Sequence, residues 1–89
     1  MDDRREMKIR YFAWVRDHIG QSEEDISLPQ GVSTAADLMA HLAGQSSGHA
    51  RAFSNTASIR IAINQQFAPA DSLLSETDEI AFFPPVTGG

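Results

Sequence analysis

The residue pair that closes the sequence, Gly88-Gly89, carries the group best suited to chemistry, a carboxylate on backbone without side chains. A carboxylate is inert as an acyl donor until one of its oxygens is replaced by a better leaving group. Adenylation by ATP does this, and a sulfur nucleophile can then convert the terminus into a thiocarboxylate. An internal carbonyl has no free oxygen to activate, so Gly89 is the candidate reacting residue.

The residues before the glycines, Pro84-Pro85-Val86-Thr87, are typical of a stiff spacer. Proline cannot donate to a sheet ladder and fixes φ, so a strand must end there and extended chain must begin. Six residues of roughly 3.3 Å each can carry the carboxylate about 20 Å from the domain. Glycine can pass through a channel too narrow for a Cβ atom. We therefore predict that residues 84–89 insert into a deep site on a partner; a frayed end without function is the alternative.

The composition is that of one small globular domain. Its 89 residues are 42% apolar and 21% charged, and the charged start of the chain lacks an apolar signal region. Every apolar run is far shorter than a membrane span, so we expect a cytoplasmic protein without a membrane partner. The absence of cysteine excludes disulfides, thiolate metal sites and a cysteine nucleophile. A net charge of −5 argues against nucleic acid and fits a basic protein partner, or serves solubility alone.

No internal cluster of residues predicts a catalytic centre. The three histidines, His18, His41 and His49, have spacings that match neither a zinc site nor a charge relay, so no metal is expected. The acidic run Glu23-Glu24-Asp25 is typical of a solvated strand edge. Gly44 and Gly48 are interpreted as loop glycines, because no glycine-rich phosphate loop precedes a helix.

The hydrophobic pattern predicts the elements that must position the tail. Period-two alternation indicates strands, and Thr34 with Asp37 resembles a capping box before an amphipathic helix. Residues 45–53 are predicted to be mostly a connection, with a turn of helix around Ala50 and Phe53 as the alternative. Residues 1–6 are interpreted as a mobile extension, residues 7–83 as the domain and residues 84–89 as its tail. We predict strands at 8–13, 24–28, 58–64, 65–67 and 79–83, a helical turn at 14–19 and a main helix at 35–43.

This order of elements indicates the α+β class, in which one main helix covers one face of a mixed sheet. The β-grasp is the smallest architecture that fits, and in it the first and last strands are neighbours. Alternation then places Phe12 and Phe83 together on the face without the helix, as an apolar docking patch. Burial of both sheet faces by loops, or simple stapling of the strands by the two rings, is the alternative.

The sequence resembles the small, sulfur-carrying subunit of molybdopterin synthase, a family related in fold to ubiquitin and to the thiamine sulfur carrier. The most specific element is Phe82-Phe83-Pro84-Pro85-Val86-Thr87-Gly88-Gly89. Tyr11-Phe12-Ala13-Trp14-Val15-Arg16, the helix from Thr34 to Leu42 and Ile63-Asn64-Gln65 support it. Terminal Gly-Gly is shared with the thiamine carrier and with ubiquitin-like modifiers, whereas the Pro-Pro-Val-Thr lead-in is typical of this family.

The resemblance implies that an adenylating enzyme of the ubiquitin-activating type consumes ATP to activate Gly89, with no cofactor bound by the chain itself. The thiocarboxylate would then enter the large subunit of a heterotetrameric synthase and pass sulfur to cyclic pyranopterin monophosphate, with the catalytic groups on the large subunit. The family's apolar docking positions fall on Phe12, Phe67 and Phe83. A ubiquitin-like modifier, a non-covalent adaptor and a thiamine-pathway carrier are the alternatives.

Overall fold

The computed structural model describes residues 6–85. Residues 1–5 of the predicted extension, and Val86, Thr87, Gly88 and Gly89 of the predicted tail, lie outside the described residues, so their roles stay predictions. The elements are β1 (Met7–Tyr11), α1 (Ala13–Ile19), β2 (Glu23–Ile26), α2 (Ala35–Ala43), α3 (Ser47–Ala52), a short 3-10 turn (Thr56–Ser58), β3 (Arg60–Ile63), β4 (Gln66–Ala68) and β5 (Glu79–Phe83).

The five strands form one mixed sheet in the order β2-β1-β5-β3-β4. β1 and β5, the first and last strands of the chain, pair in parallel with Tyr11 beside Phe82, and the other pairs are antiparallel. The central strand β5 is therefore bonded on both sides. This topology confirms the predicted β-grasp and its α+β class.

The main helix, α2, begins and ends where the sequence pattern predicts. The Thr34 side-chain oxygen accepts the Asp37 backbone N–H at 3.1 Å, and the Asp37 carboxylate accepts the Thr34 N–H at 3.2 Å. These reciprocal bonds satisfy N–H groups that a helix start leaves unpaired. Hydrogen bonds from the backbone of Ser33 and Thr34 lower the pKa of the Asp37 carboxyl below its usual 3.8.

The core lies between the helices and one face of the sheet. Ile9 and Tyr11 of β1 and Ile80 and Phe82 of β5 are fully buried or nearly so. The Phe53 ring meets the Phe82 ring edge-on, with 5.1 Å between centroids, an arrangement that aromatic pairs favour. The alternate residues of these strands therefore point to the opposite side, which we call the open face.

The polar stretch at 45–53 is more helical than the predicted connection, and the alternative of a turn around Ala50 corresponds to the six-residue helix α3. α3 begins after Ser46, whose hydroxyl oxygen accepts the His49 backbone N–H at 3.1 Å. Gly48 lies within α3 and not in a loop, and it lies so close to α1 that a Cβ atom would overlap the His18 carbonyl oxygen. A residue without a side chain is therefore required where these two helices meet.

Candidate functional site

The tail leaves the domain from the end of β5. The last hydrogen bond on the β1 side runs from the Phe12 N–H to the Phe82 carbonyl at 3.1 Å. Pro84 and Pro85 follow Phe83 and are half-buried, and neither has an N–H with which to continue the ladder. Because β5 is held by strands on both sides, the base of the tail is fixed relative to the sheet.

Phe12 lies beside the base of the tail, and its predicted exposure is confirmed at 44%. It precedes α1, and the next residue, Ala13, has a left-handed φ of 55°. This conformation is unfavourable for a residue with a Cβ atom, and it turns the chain sharply from β1 into α1. The turn leaves the Phe12 ring outside the core, next to the end of β5.

Phe67 is the most exposed of the predicted docking residues, at 80%. It lies on β4, which follows β3 through a two-residue turn in which Asn64 and Gln65 have φ values of 51° and 70°. Two left-handed residues give the twist that a tight hairpin favours. The Asn64 side chain donates to Asp78 at 2.9 Å and accepts from the Glu79 N–H at 3.0 Å, which ties the hairpin to β5.

Phe83 is half-buried and therefore less exposed than alternation alone predicts. The Phe67 ring lies 5.8 Å from the Phe83 ring at an angle of 52°, and Arg60 is the neighbour of Phe83 in register on β3. Phe12 reaches the end of β5 from the other side, through the register that sets Tyr11 beside Phe82. The three predicted docking residues thus lie around the base of the tail, where they form an apolar surface.

A groove of about 600 Å³ runs along the β3 side of this surface. Phe67 and Phe83 line one part of it, and Met39, Ile59 and Ile61 line the part nearer the core. Arg60 contributes the only charged side chain among its lining residues. The groove is open because β4 pairs with β3 only from Ile61 onward and leaves the edge beside Arg60 uncovered.

A buried polar network links three elements and was not predicted from the sequence. The Glu24 carboxylate accepts the Tyr11 hydroxyl at 2.8 Å and lies 2.6 Å from His49 Nε2. His49 Nδ1 lies 2.7 Å from the Ser46 hydroxyl oxygen. Burial raises the pKa of the Tyr11 hydroxyl far above its usual 10.0, and the hydrogen bond to Glu24 and its charge raise it further.

This network joins α3 to β1 and β2, so we interpret it as structural. The Ser46 hydroxyl already caps α3, and the His49 side chain is only 6% exposed. The spacing of Ser46 and His49, as cap and third residue of a helix, is the one local signal that the sequence offered. The prediction that Glu24 belongs to a solvated acidic edge was wrong, whereas Glu23 and Asp25 are exposed.

Within residues 6–85, the structure brings together no group of three or more acidic or histidine side chains that could hold a metal ion. No helix in that same range is long and apolar enough to cross a membrane. What the described residues offer is an exposed apolar surface at the end of β5.

The sheet order and the helical layer define a ubiquitin-like β-grasp protein. Residues 9–89 match the ThiS family, so the match includes the terminal glycine pair. The chain belongs to this family, and within it to the molybdopterin synthase sulfur carrier subunits. Two such subunits, from Haemophilus influenzae and Escherichia coli, are 39% and 36% identical to it over 93% of this chain and 99% of theirs.

Solved structures share the fold. SAMP1 from Haloferax volcanii superposes with a TM-score of 0.71 at 25% identity, covering 94% of this chain and 99% of that one. A complex of subunits 1 and 2 of molybdopterin-converting factor from Helicobacter pylori includes a chain with a TM-score of 0.60 and 21% identity, covering 94% of this chain and 99% of that one. The second likeness is one of fold alone.

Proposed function

We propose that this chain is the sulfur carrier subunit of a molybdopterin synthase and that Gly89 carries the sulfur. The observation that carries the proposal is the near-complete match to sulfur carrier subunits, together with a family match that extends to residue 89. The described domain supports it, since a rigid strand and an apolar surface lie at the base of the segment that would bear the reacting group.

The chemistry proceeds in two successive complexes with partner proteins. In the first, the Gly89 carboxylate attacks the α-phosphate of ATP on an adenylating enzyme of the ubiquitin-activating type, and pyrophosphate leaves. A sulfur donor then displaces AMP from the acyl adenylate and leaves a thiocarboxylate. In the second, the tail enters the large subunit of a heterotetrameric synthase, and sulfur passes to cyclic pyranopterin monophosphate. We place these steps in the cytoplasm, where ATP is available.

The domain itself supplies docking and reach in this scheme. Phe12, Phe67 and Phe83 contact the partner, and Pro84 and Pro85 direct the chain away from the sheet. Exposed aromatic side chains are common anchors of protein interfaces because they bury a large apolar area with few rotatable bonds. The catalytic side chains belong to the large subunit.

The length of the tail provides the test. Deletion of Gly89, or addition of one residue after it, should abolish conversion of the pterin precursor by the reconstituted synthase. Addition of one residue before Met1 is the matched control and should leave conversion unchanged. Equal urea unfolding midpoints would show that the variants fold alike, and conversion retained by either tail variant would overturn the proposal.

A ubiquitin-like modifier is the second candidate, and the likeness to SAMP1 favours it. A modifier would form an isopeptide bond between Gly89 and a lysine of another protein, after the same adenylation. Immunoblots of cell lysates separate the two functions, because a modifier gives a ladder of larger covalent conjugates whereas a sulfur carrier gives the free chain. Rescue of molybdoenzyme activity, and not of thiamine auxotrophy, separates the thiamine-pathway alternative.

A further inference from the structure

The open face of the sheet carries three basic side chains that belong to strands, and two of them are neutralised within the chain. Lys8 Nζ lies 3.4 Å from a Glu23 oxygen and 3.7 Å from an Asp25 oxygen. Arg10 Nε lies 2.9 Å from a Glu79 oxygen. Lys8 is therefore paired with carboxylates of β2, and Arg10 with a carboxylate of β5.

Arg60, the third cation, lies in different surroundings. On the β5 side its partner in register is Phe83, and on the other side β4 stops before reaching it. Arg60 is exposed, and no carboxylate of residues 6–85 pairs with it. The result is a guanidinium at the rim of the apolar groove, beside the end of β5, that has no carboxylate partner among the described residues.

The position of the groove limits what can cover it. Residues 86–89 link Pro85 to the proposed reacting group on Gly89, and at roughly 3.3 Å each four residues can reach at most about 13 Å. A protein that receives Gly89 in a deep site must therefore lie close against the groove. A stable subunit interface buries about 800 Å² on each partner, more than the tail alone can provide, so the surface at its base must be part of the contact.

We propose that Arg60 and this groove form the charge-selective part of the surface on which the other synthase subunit docks. Arg60 pairs there with an Asp or Glu carboxylate of that subunit, and apolar side chains next to this carboxylate fill the groove. A planar guanidinium suits bidentate pairing with a carboxylate at an interface. This inference rests on the proposed function and adds to it the chemistry of the partner's surface.

Charge reversal at Arg60 is the test. The full-length chain and its Arg60→Glu and Arg60→Gln variants are titrated against the purified large subunit at low and high salt. We expect about a tenfold rise in Kd for Arg60→Glu at low salt, a smaller rise for Arg60→Gln and a convergence of the values at high salt. Mutation of the matching acidic residue of the large subunit to Lys should restore binding to the Arg60→Glu variant.

Arg51→Glu is the matched control. Arg51 is exposed on α3, on the helical side of the sheet, and its replacement by Glu changes the net charge by the same amount. Its Kd should stay within about twofold of the unmodified chain. Equal effects of the two reversals would overturn the inference while leaving the proposed function intact. The inference would also be overturned if Arg60→Glu changed the self-association of the chain but left its binding to the large subunit unchanged, because the groove would then be a contact between two copies of this chain. Failure of the unmodified chain to bind the large subunit would overturn both.

Discussion

Replacement of Glu24 by Ala should destabilise the domain strongly although Glu24 lies on a short edge strand. The change removes the acceptor of two buried donors, the Tyr11 hydroxyl at 2.8 Å and His49 Nε2 at 2.6 Å. Tyr11 is 1% exposed and His49 5% exposed, so water does not readily replace the carboxylate. A buried donor without a partner costs about 1–3 kcal/mol, so two such donors cost about 2–6 kcal/mol in free energy of unfolding. We expect about 3 kcal/mol, in the lower half of this range, because the Glu24 side chain is 19% exposed.

Urea denaturation followed by circular dichroism measures this effect, provided that the dependence on denaturant is the same for each variant. A loss of about 3 kcal/mol corresponds to a Tm lowered by roughly 15 °C for a domain of this size. The neighbouring Glu23→Ala variant is the control, because the Glu23 side chain is 49% exposed and its one ion pair within residues 6–85 is with Lys8, at 3.4 Å. Its cost should stay below about 0.5 kcal/mol.

A double-mutant cycle identifies the cause. Tyr11→Phe alone should cost about 1 kcal/mol, since Glu24 keeps His49 as a partner. In the Tyr11→Phe, Glu24→Ala double variant the tyrosine hydroxyl is no longer left unpaired, so the total should fall short of the sum by about 1 kcal/mol. Equal costs for the Glu24 and Glu23 variants, or strict additivity in the cycle, would refute the interpretation of the network as structural.

Three further perturbations test the fold around the site. In the same urea assay, Gly48→Ala should lower the free energy of unfolding by at least about 2 kcal/mol, because the new Cβ atom would overlap the His18 carbonyl oxygen. Gly44→Ala should be nearly neutral, because a Cβ atom there makes an ordinary contact at 3.6 Å. Asp37→Asn should lower stability at neutral pH. Folding lowers the pKa of Asp37, so the stability that its carboxylate adds is present above the unfolded value of 3.8 and is lost as the pH falls through the folded pKa. The urea midpoints of the unmodified chain and of Asp37→Asn should therefore converge in acid. A difference that stays constant with pH would contradict this. Gln65→Gly should raise the free energy of unfolding by about 0.5–1 kcal/mol because φ is 70° there, and a lowered value would show that the Gln65 side chain contributes more than its strain costs.

The sequence was sufficient to predict those elements whose signals are local. Alternation along β1 and β5 fixed which residues enter the core, and the capping box of Thr34 fixed the start of α2, because both depend on neighbours in the chain. The same alternation placed Phe12 outside the core. Element ends were less exact, since Ala13 leaves the predicted strand to begin α1 and β2 covers Glu23–Ile26 instead of residues 24–28.

Features that depend on distant residues could not be predicted in this way. Glu24 and His49 are 25 residues apart, and only the packing of α3 on the sheet brings them together. The helical character of α3 itself depends on that packing, since a six-residue helix is not stable alone. The contact between Phe83 and Phe67 likewise depends on the turn at Asn64 and Gln65, which brings β4 back alongside β3.

The intact mass of the chain, produced together with its activating enzyme and a sulfur source, shows directly whether Gly89 carries sulfur. We expect a species in which one oxygen of the Gly89 carboxylate is replaced by sulfur, located to the C-terminal peptide by fragmentation. The species should be absent when the activating enzyme is omitted. An unmodified mass under conditions in which the activating enzyme consumes ATP, or sulfur located anywhere but Gly89, would contradict it.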